Sequence, residues 1–333
     1  MIIIMKIVLT GCAGFIGSHL LEEFLRRGDE VVGIDNFSTG CQKNLDDVRL
    51  SVGPGRWKNL VFLPVDITKE KSIKSVLCDI NQASSPVDVV CHQAALGSVT
   101  RSIQNPETSF SVNVVGFQNI LEGMRLSKIK KLVFASSSSV YGDDSSSIKI
   151  EPITGDPISP YAATKAMNES MAHAYAKAFG FNFIGLRYFN VFGSRQSHRG
   201  PYSAVVPRWI DAVTTGKEMI VHGDGEQRRD FTYIRNVVHA NDLAIDAVMK
   251  KKVSSVLNIG SGKSTGLLDL AKSIVVLSGG EFHEEELTHI DERKGDVKNS
   301  CASIIAAKHL IGYEPKFDTI DGLADMIRRQ HLN

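Results

Sequence analysis

The chain has 333 residues, with 38 basic and 37 acidic side chains and a net charge near +1. Charge this balanced, with no strongly basic segment, gives no support to a nucleic-acid or anionic-membrane surface, and no apolar run approaches the ~20 residues of a membrane-spanning helix. Five scattered cysteines without a Cys-x-x-Cys pair point to reduced thiols in a cytoplasm, not to disulfides or a structural metal. A chain of this length buries a sizeable core and is long for one compact domain, so two lobes are expected.

The first predicted strand, residues 5–9, runs into the loop Thr10-Gly11-Cys12-Ala13-Gly14-Phe15-Ile16-Gly17. A helix follows over 18–27 and is closed by Gly28. Strand, glycine loop and helix in this order are the setting in which a dinucleotide pyrophosphate rests on helix N-terminal amides. Gly11 and Gly14 permit a tight turn and close approach, and Gly17 lets helix pack closely on strand. The next strand, 30–34, ends in Asp35. A carboxylate there accepts hydrogen bonds from both ribose hydroxyls of an adenosine and repels a 2′-phosphate, so NAD is expected rather than NADP. Asp66, just past a strand at 60–64, is a second candidate, at the adenine edge.

Further buried strands are predicted at 87–91, 131–135 and 182–186, with helical stretches between them. That alternation predicts an α/β fold with a doubly wound parallel sheet. The strand at 131–135 delivers Ser136, Ser137, Ser138 and Ser139 to the end of the sheet that faces the ligand crevice, where serines can hydrogen-bond a substrate hydroxyl. Ser159 and Pro160 form a cap and first-turn proline for a helix that reaches Phe179 and closes at Gly180. On it Tyr161 and Lys165 share one face. An ammonium beside a phenol stabilises the phenolate and is expected to lower its pKa, giving an acid/base that works near neutral pH.

After Arg187 the pattern loosens into loops at 192–202 and 222–230, a helix at 205–214, and a strand at 256–259 that returns to the main sheet. The expected domains are therefore a nucleotide-binding domain over 1–190, with a return segment at about 231–260, and a smaller, irregular α/β substrate lobe over 191–333. The segment from His283 to His289 encloses three glutamates. With no second cluster to complete a site it reads as a solvated acidic stretch, and no metal is expected.

These motifs do not stand alone. With Asp35-Asn36-Phe37-Ser38-Thr39-Gly40, His92-Gln93-Ala94-Ala95, Arg187-Tyr188-Phe189-Asn190-Val191-Phe192-Gly193, and Gly223-Asp224-Gly225 leading to Arg229-Asp230-Phe231, the chain resembles the extended short-chain dehydrogenase/reductase superfamily. Within it the resemblance is to the nucleotide-sugar 4-epimerases, over essentially the whole chain. It implies a Rossmann sheet that holds NAD through Gly11, Gly14, Phe15, Ile16, Gly17, Asp35, Asn36, Ser38, Thr39 and Gly40. Asp66, Ile67, Ala94, Ala95, Asn113, Ser136 and Tyr188 would complete that site. Tyr161 is implied as the base, Lys165 as the group that binds the nicotinamide ribose, and Ser137 as the catalytic Ser/Thr. Asn190, Arg229 and Arg293 match positions that hold the nucleoside diphosphate, and Gln196 falls in a loop near it.

The related dehydratases carry Asp and Glu after the catalytic residue. Here those places are Ser138 and Ser139, neither a competent acid, so 4-epimerisation through a transient 4-keto sugar and a retained NAD is the implied reaction. A second lobe enclosing the sugar would keep the ketone from escaping. Ser300 stands where a bulky tyrosine is associated with restriction to UDP-glucose and UDP-galactose, and a small residue leaves room for a 2-acetamido group. Interconversion of UDP-GlcNAc and UDP-GalNAc is thus favoured, with UDP-Glc/UDP-Gal as a second activity. Ser98, Ser138, Ser139, Asn190 and Ser300 would face the acetamido side. A UDP-glucuronate 4-epimerase or decarboxylase stays open, as does, in a different class, a non-catalytic NAD-binding regulator. The resemblance also implies a homodimer, paired through the helix that begins at Tyr161 and one spanning about 107–127.

Overall fold

The computed structural model describes residues 4–82, 85–198, 203–291 and 299–330. Two compact units emerge: Met1–Val140 with Ser159–Arg187 and Val238–Leu257, and Tyr141–Ile158 with Tyr188–Val237 and Asn258–Asn333.

A strand covered on both faces needs an almost unbroken apolar run. Ile7 to Leu9, Val89 to Cys91 and Leu132 to Phe134 supply such runs and are fully buried. They lie in a seven-stranded sheet of β1 (Lys6–Thr10), β2 (Glu30–Ile34), β3 (Leu60–Leu63), β4 (Val89–His92), β5 (Lys131–Ser137), β6 (Asn182–Tyr188) and β7 (Ser254–Ile259). The strand order is β7-β6-β5-β4-β1-β2-β3, and β1 pairs in parallel with both β2 and β4. The order therefore reverses at β1, the point where doubly wound sheets open a crevice beyond their carboxyl ends. One layer of core holds the sheet face: Phe117, Phe134 and Phe183 succeed one another with ring centroids 5.1 and 5.9 Å apart. Each such buried ring contributes about 2–3 kcal/mol.

Two local departures from the sequence reading matter. The strand expected at 131–135 runs on to Ser137, so Ser136 and Ser137 belong to β5 and only Ser138–Tyr141 forms a turn. The helix expected at about 107–127 is broken into Pro106–Phe110, a π-helical turn at Ser111–Val115 and Gly116–Leu126. The extra residue in that turn carries Asn113 inward, where it is 1% exposed. By contrast α1 (Phe15–Arg27) and α2 (Pro160–Phe179) form as expected. α2 is capped by the Ser159 hydroxyl, which accepts from the Ala162 amide, and ends at Gly180 with φ 70°.

The second unit contains α3 (Val205–Thr215), the helices Leu267–Leu277, Ile305–Ile311 and Thr319–Gln330, and several very short strands. A four-stranded sheet orders Thr265–Gly266, Arg228–Arg229, Asn299–Ala302 and Ile148–Lys149. Polar anchors do much of the ordering here. The buried Tyr141 hydroxyl donates to Asn258 Oδ1 (2.6 Å), and that of Tyr313 donates to the Gly260 carbonyl (2.8 Å). No helix among the described residues is long and apolar enough to cross a membrane.

Candidate active site

At the end of β1, Gly11 has φ +72°, and a Cβ there would lie 2.8 Å from the Ala94 nitrogen; at Gly17 it would lie 1.9 Å from the Gly11 carbonyl oxygen. Neither position admits a side chain, and the loop lies flat across the end of β4. Gly14 precedes α1 as a cap without any side-chain hydrogen bond, so the first-turn amides of Phe15, Ile16 and Gly17 lack helical acceptors and face outward as anion donors. Asp35 closes the other side. Its Oδ2 accepts the Ala13 amide (2.9 Å) and its Oδ1 the Phe37 amide (2.8 Å), which leaves further lone pairs for ribose hydroxyls. Asn36 folds over Ser38, accepting its amide (3.0 Å), while Ser38 and Thr39 are exposed and Gly40 packs against Ala13 with no room for a Cβ. Asn44, which the sequence reading missed, donates to the Ala13 carbonyl (2.8 Å) and pins the loop from behind. A flat glycine cradle, free helix amides and an oriented carboxylate fit a dinucleotide.

The remaining residues expected at the cofactor divide into two groups. Ala94 donates to Thr10 Oγ1 (3.2 Å) and stays half-exposed with Ala95 beside the glycine loop. Asp66 is half-buried and accepts the amide and hydroxyl of Thr68, both at 2.8 Å. Ile67 is buried and its carbonyl accepts from Asn119 (2.9 Å). Asn113 and Ser136 are differently engaged. Asn113 accepts the Leu96 amide and donates to the Leu96 carbonyl and to Thr164, so its amide group is spent on positioning the 94–98 loop against α2. The Ser136 hydroxyl is buried and donates to Glu169. Ser98 has φ 91° and caps the short helix Val99–Gln104 by accepting the Arg101 amide (3.3 Å).

Beyond β5 the reactive groups converge. Ser137 Oγ accepts the Ser139 amide (3.1 Å) and lies close enough to the Tyr161 phenol to lower its pKa by hydrogen bonding. Lys165, 2% exposed, donates to the Ala135 carbonyl (2.9 Å) with Nζ 6.0 Å from the Tyr161 ring centre. Burial pulls the Lys165 ammonium down to about 8, opposed by the Glu169 carboxylate. The Tyr161 phenol departs from expectation: burial pushes its pKa up and the Ser137 hydrogen bond only partly offsets this. Lys165 points to a backbone carbonyl instead of the phenol oxygen, so it does not supply the depression that the sequence spacing suggested. Among the described residues the buried Ser139 hydroxyl has no partner, which marks a place for a ligand polar group.

The second unit gathers another set. A cavity of about 250 Å³ is lined by Asn190, Trp209, His222, Arg229, Phe231 and Leu267, among others. Asn190, at φ 28°, donates to the Asp230 carbonyl (3.0 Å). Arg229 stands in parallel register with Ser300. Asp230, fully buried, accepts from Ser261 N and Oγ, Gly262 N and Ala302 N at 2.7–3.1 Å, and so fastens both strands. Gln196 donates to the Val191 carbonyl (3.0 Å), and its buried oxygen has no partner among the described residues. Tyr188 ends β6, buried. Arg293 lies outside the described residues. Among the described residues no His, Cys, Asp and Glu cluster could hold a metal.

Residues 7–260 match the pattern of the NAD dependent epimerase/dehydratase family. A UDP-glucuronate 4-epimerase of Thermodesulfobacterium geofontis is 31% identical over 95% of this chain and 93% of its own. The UDP-glucose 4-epimerase of Thermotoga maritima, solved with UDP-glucose, superposes with a TM-score of 0.86 at 31% identity, covering 99% of this chain and 100% of that one. A UDP-N-acetylglucosamine 4-epimerase from Methanobrevibacter ruminantium, in complex with UDP-N-acetylmuramic acid, gives a TM-score of 0.88 at 32% identity, covering 99% of both chains. This chain belongs to the NAD dependent epimerase/dehydratase family, among relatives named as UDP-sugar 4-epimerases, and its cofactor is NAD.

Proposed function

We propose that the protein interconverts UDP-GlcNAc and UDP-GalNAc at C4, with UDP-glucose and UDP-galactose as second substrates. The observation that carries the reaction type is the convergence of Ser137, Tyr161 and Lys165 without a neighbouring carboxylic acid at Ser138 or Ser139. A single acid/base suffices when the same group removes and returns one proton. Tyr161 takes the O4 proton, aided by Ser137, whose Oγ is already fixed by the Ser139 amide. Lys165 binds the nicotinamide ribose and keeps a positive charge beneath the site. NAD, when bound, supplies the acceptor that takes the C4 hydride and gives it back, together with a positive ring that favours the phenolate. Gly11, Gly14, Gly17 and Asp35 would hold its pyrophosphate and adenosine.

Arg229 and Asn190 anchor the UDP moiety, a dianion that suits a guanidinium, and Arg293 joins them. The sugar preference is supported by Ser300, small and in register beside Arg229. Steric tolerance of an acetamido group follows from such a residue. The protein would act as a homodimer paired through α2 and the segments from Pro106 to Leu126, whose Phe110, Val115 and Met167 are exposed in the single chain.

The test is incubation of the pure protein, without added NAD, with UDP-GlcNAc and separately with UDP-glucose, following the anomeric protons by NMR. The 4-epimer should appear from both. Conversion of UDP-glucose alone would remove the acetamido assignment. Conversion of neither, with turnover of UDP-glucuronate, would replace both substrates.

A further inference from the structure

The triad of Ser137, Tyr161 and Lys165 rests on a second, wholly buried layer that the reaction itself does not use. Glu169, one helical turn past Lys165 on the same face of α2, is 8% exposed. It accepts hydrogen bonds from the Ser136 hydroxyl and, in a two-pronged pair, from Arg187 Nε (2.9 Å) and Nη2 (2.8 Å). Arg187 is itself 4% exposed and stands on β6. One carboxylate thus joins three elements: β5, one residue before Ser137; α2, which carries Tyr161 and Lys165; and β6.

We propose that Glu169 is a positioning residue for the reactive set, tying β5, α2 and β6 to one point and keeping the Lys165 ammonium charged. This rests on the reading of Lys165 as the cation of the reaction. Ordering alone would not need charge, because a buried ion pair is seldom better for stability than apolar groups of the same shape. Placement gives the charge its purpose. The groups facing Lys165 are His92 on β4, Tyr161 and Glu169 on α2, and the Ala135 carbonyl on β5. His92 bonds Thr10 Oγ1 and is held neutral, its pKa pushed down to about 3 by burial and by the ammonium itself. Tyr161 is neutral in the resting protein. Glu169 is therefore the anion that favours the charged lysine, and Arg187 holds its carboxylate in place through the two-pronged pair.

The experiment follows the Lys165 titration directly, by NMR of protein carrying ¹³C at the lysine Cε, with the signal assigned by Lys165→Arg. Wild type, Glu169→Gln and the doubly neutral Glu169→Gln/Arg187→Gln are compared. The wild-type midpoint should lie near 8. Glu169→Gln, which removes the carboxylate and leaves the Arg187 guanidinium of the pair uncompensated, should lower it by about one pH unit or more. The double variant should fall between. The alkaline limb of kcat should move with the midpoint, while a merely structural role would leave all three midpoints together. If Glu169→Gln alone fails to fold, wild type against the double variant decides. Coincident midpoints overturn the inference even if UDP-sugars are epimerised. The predicted order, found in a protein that turns over no UDP-sugar, would uphold it and remove the proposed function instead.

Discussion

In the first unit, Ser137, Tyr161 and Lys165 ride on a long strand and a long helix, and backbone hydrogen bonds fix Ser137 through the Ser139 amide and Lys165 through the Ala135 carbonyl. In the second unit, Asn190, Arg229 and Ser300 come from distant segments that meet through strands of two to four residues, fastened by the single buried carboxylate of Asp230. Rigid elements hold chemistry to the fraction of an ångström it requires, whereas short strands and loops give a surface that can vary with the ligand. Substitutions in the first unit should therefore cost kcat, and those in the second should cost KM or change the sugar.

The largest effect is expected from Tyr161→Phe. The fold and NAD content should be unchanged while kcat falls about 10³-fold, since the proposed acid/base is removed. Gly17→Ala comes next: with its Cβ 1.9 Å from the Gly11 oxygen the loop must open, and protein purified from cells should no longer carry NAD, as read by absorbance after denaturation. Arg229→Met should raise KM by about 10–100-fold with kcat within a few-fold, the loss of a charge-assisted contact. An equal loss of kcat would erase the division between the units. Ser300→Tyr should lower kcat/KM for UDP-GlcNAc at least ~10-fold relative to UDP-glucose.

The smallest effect carries the opposite sign. The Lys165 pKa of about 8 lies below the 10.5 of a free lysine. The charged form therefore costs stability, fully below pH 8 and not at all above pH 10.5, with a ceiling of about 3 kcal/mol. Lys165→Met leaves the Ala135 carbonyl unpaired, which offsets part of that gain. At pH 7 the variant should be more stable by about 1 kcal/mol, or about 1–2 °C in Tm, and the gain should vanish near pH 10. A loss of stability at pH 7 would mean that Lys165 is a structural ion and not a strained functional one.

Legibility in the sequence followed the same division. The glycine loop, Asp35 and the Tyr161/Lys165 face could be read because each lies in a short stretch whose local geometry is dictated by period and caps. Glu169 was equally accessible, eight residues past Tyr161 on that face, but a lone helical glutamate reads as solvated until a partner on another strand is known. Asn113 was implied as a cofactor residue by the resemblance, and nothing in the chain foretells the π-turn through which its amide also binds Leu96. The direction of the Tyr161 shift was missed for a related reason. Spacing places a lysine beside a tyrosine but does not say that its ammonium is drawn to the Ala135 carbonyl. Asp230 lay within a quoted motif, yet its four donors come from segments far along the chain, which no local pattern brings together.

The most direct measurement uses UDP-GlcNAc carrying deuterium at C4, turned over in ordinary water by the protein as purified. The account predicts UDP-GalNAc with the deuterium still at C4 and no net NADH, because the hydride leaves and returns within one bound complex. Deuterium lost to solvent, or NADH accumulating in step with product, would contradict it.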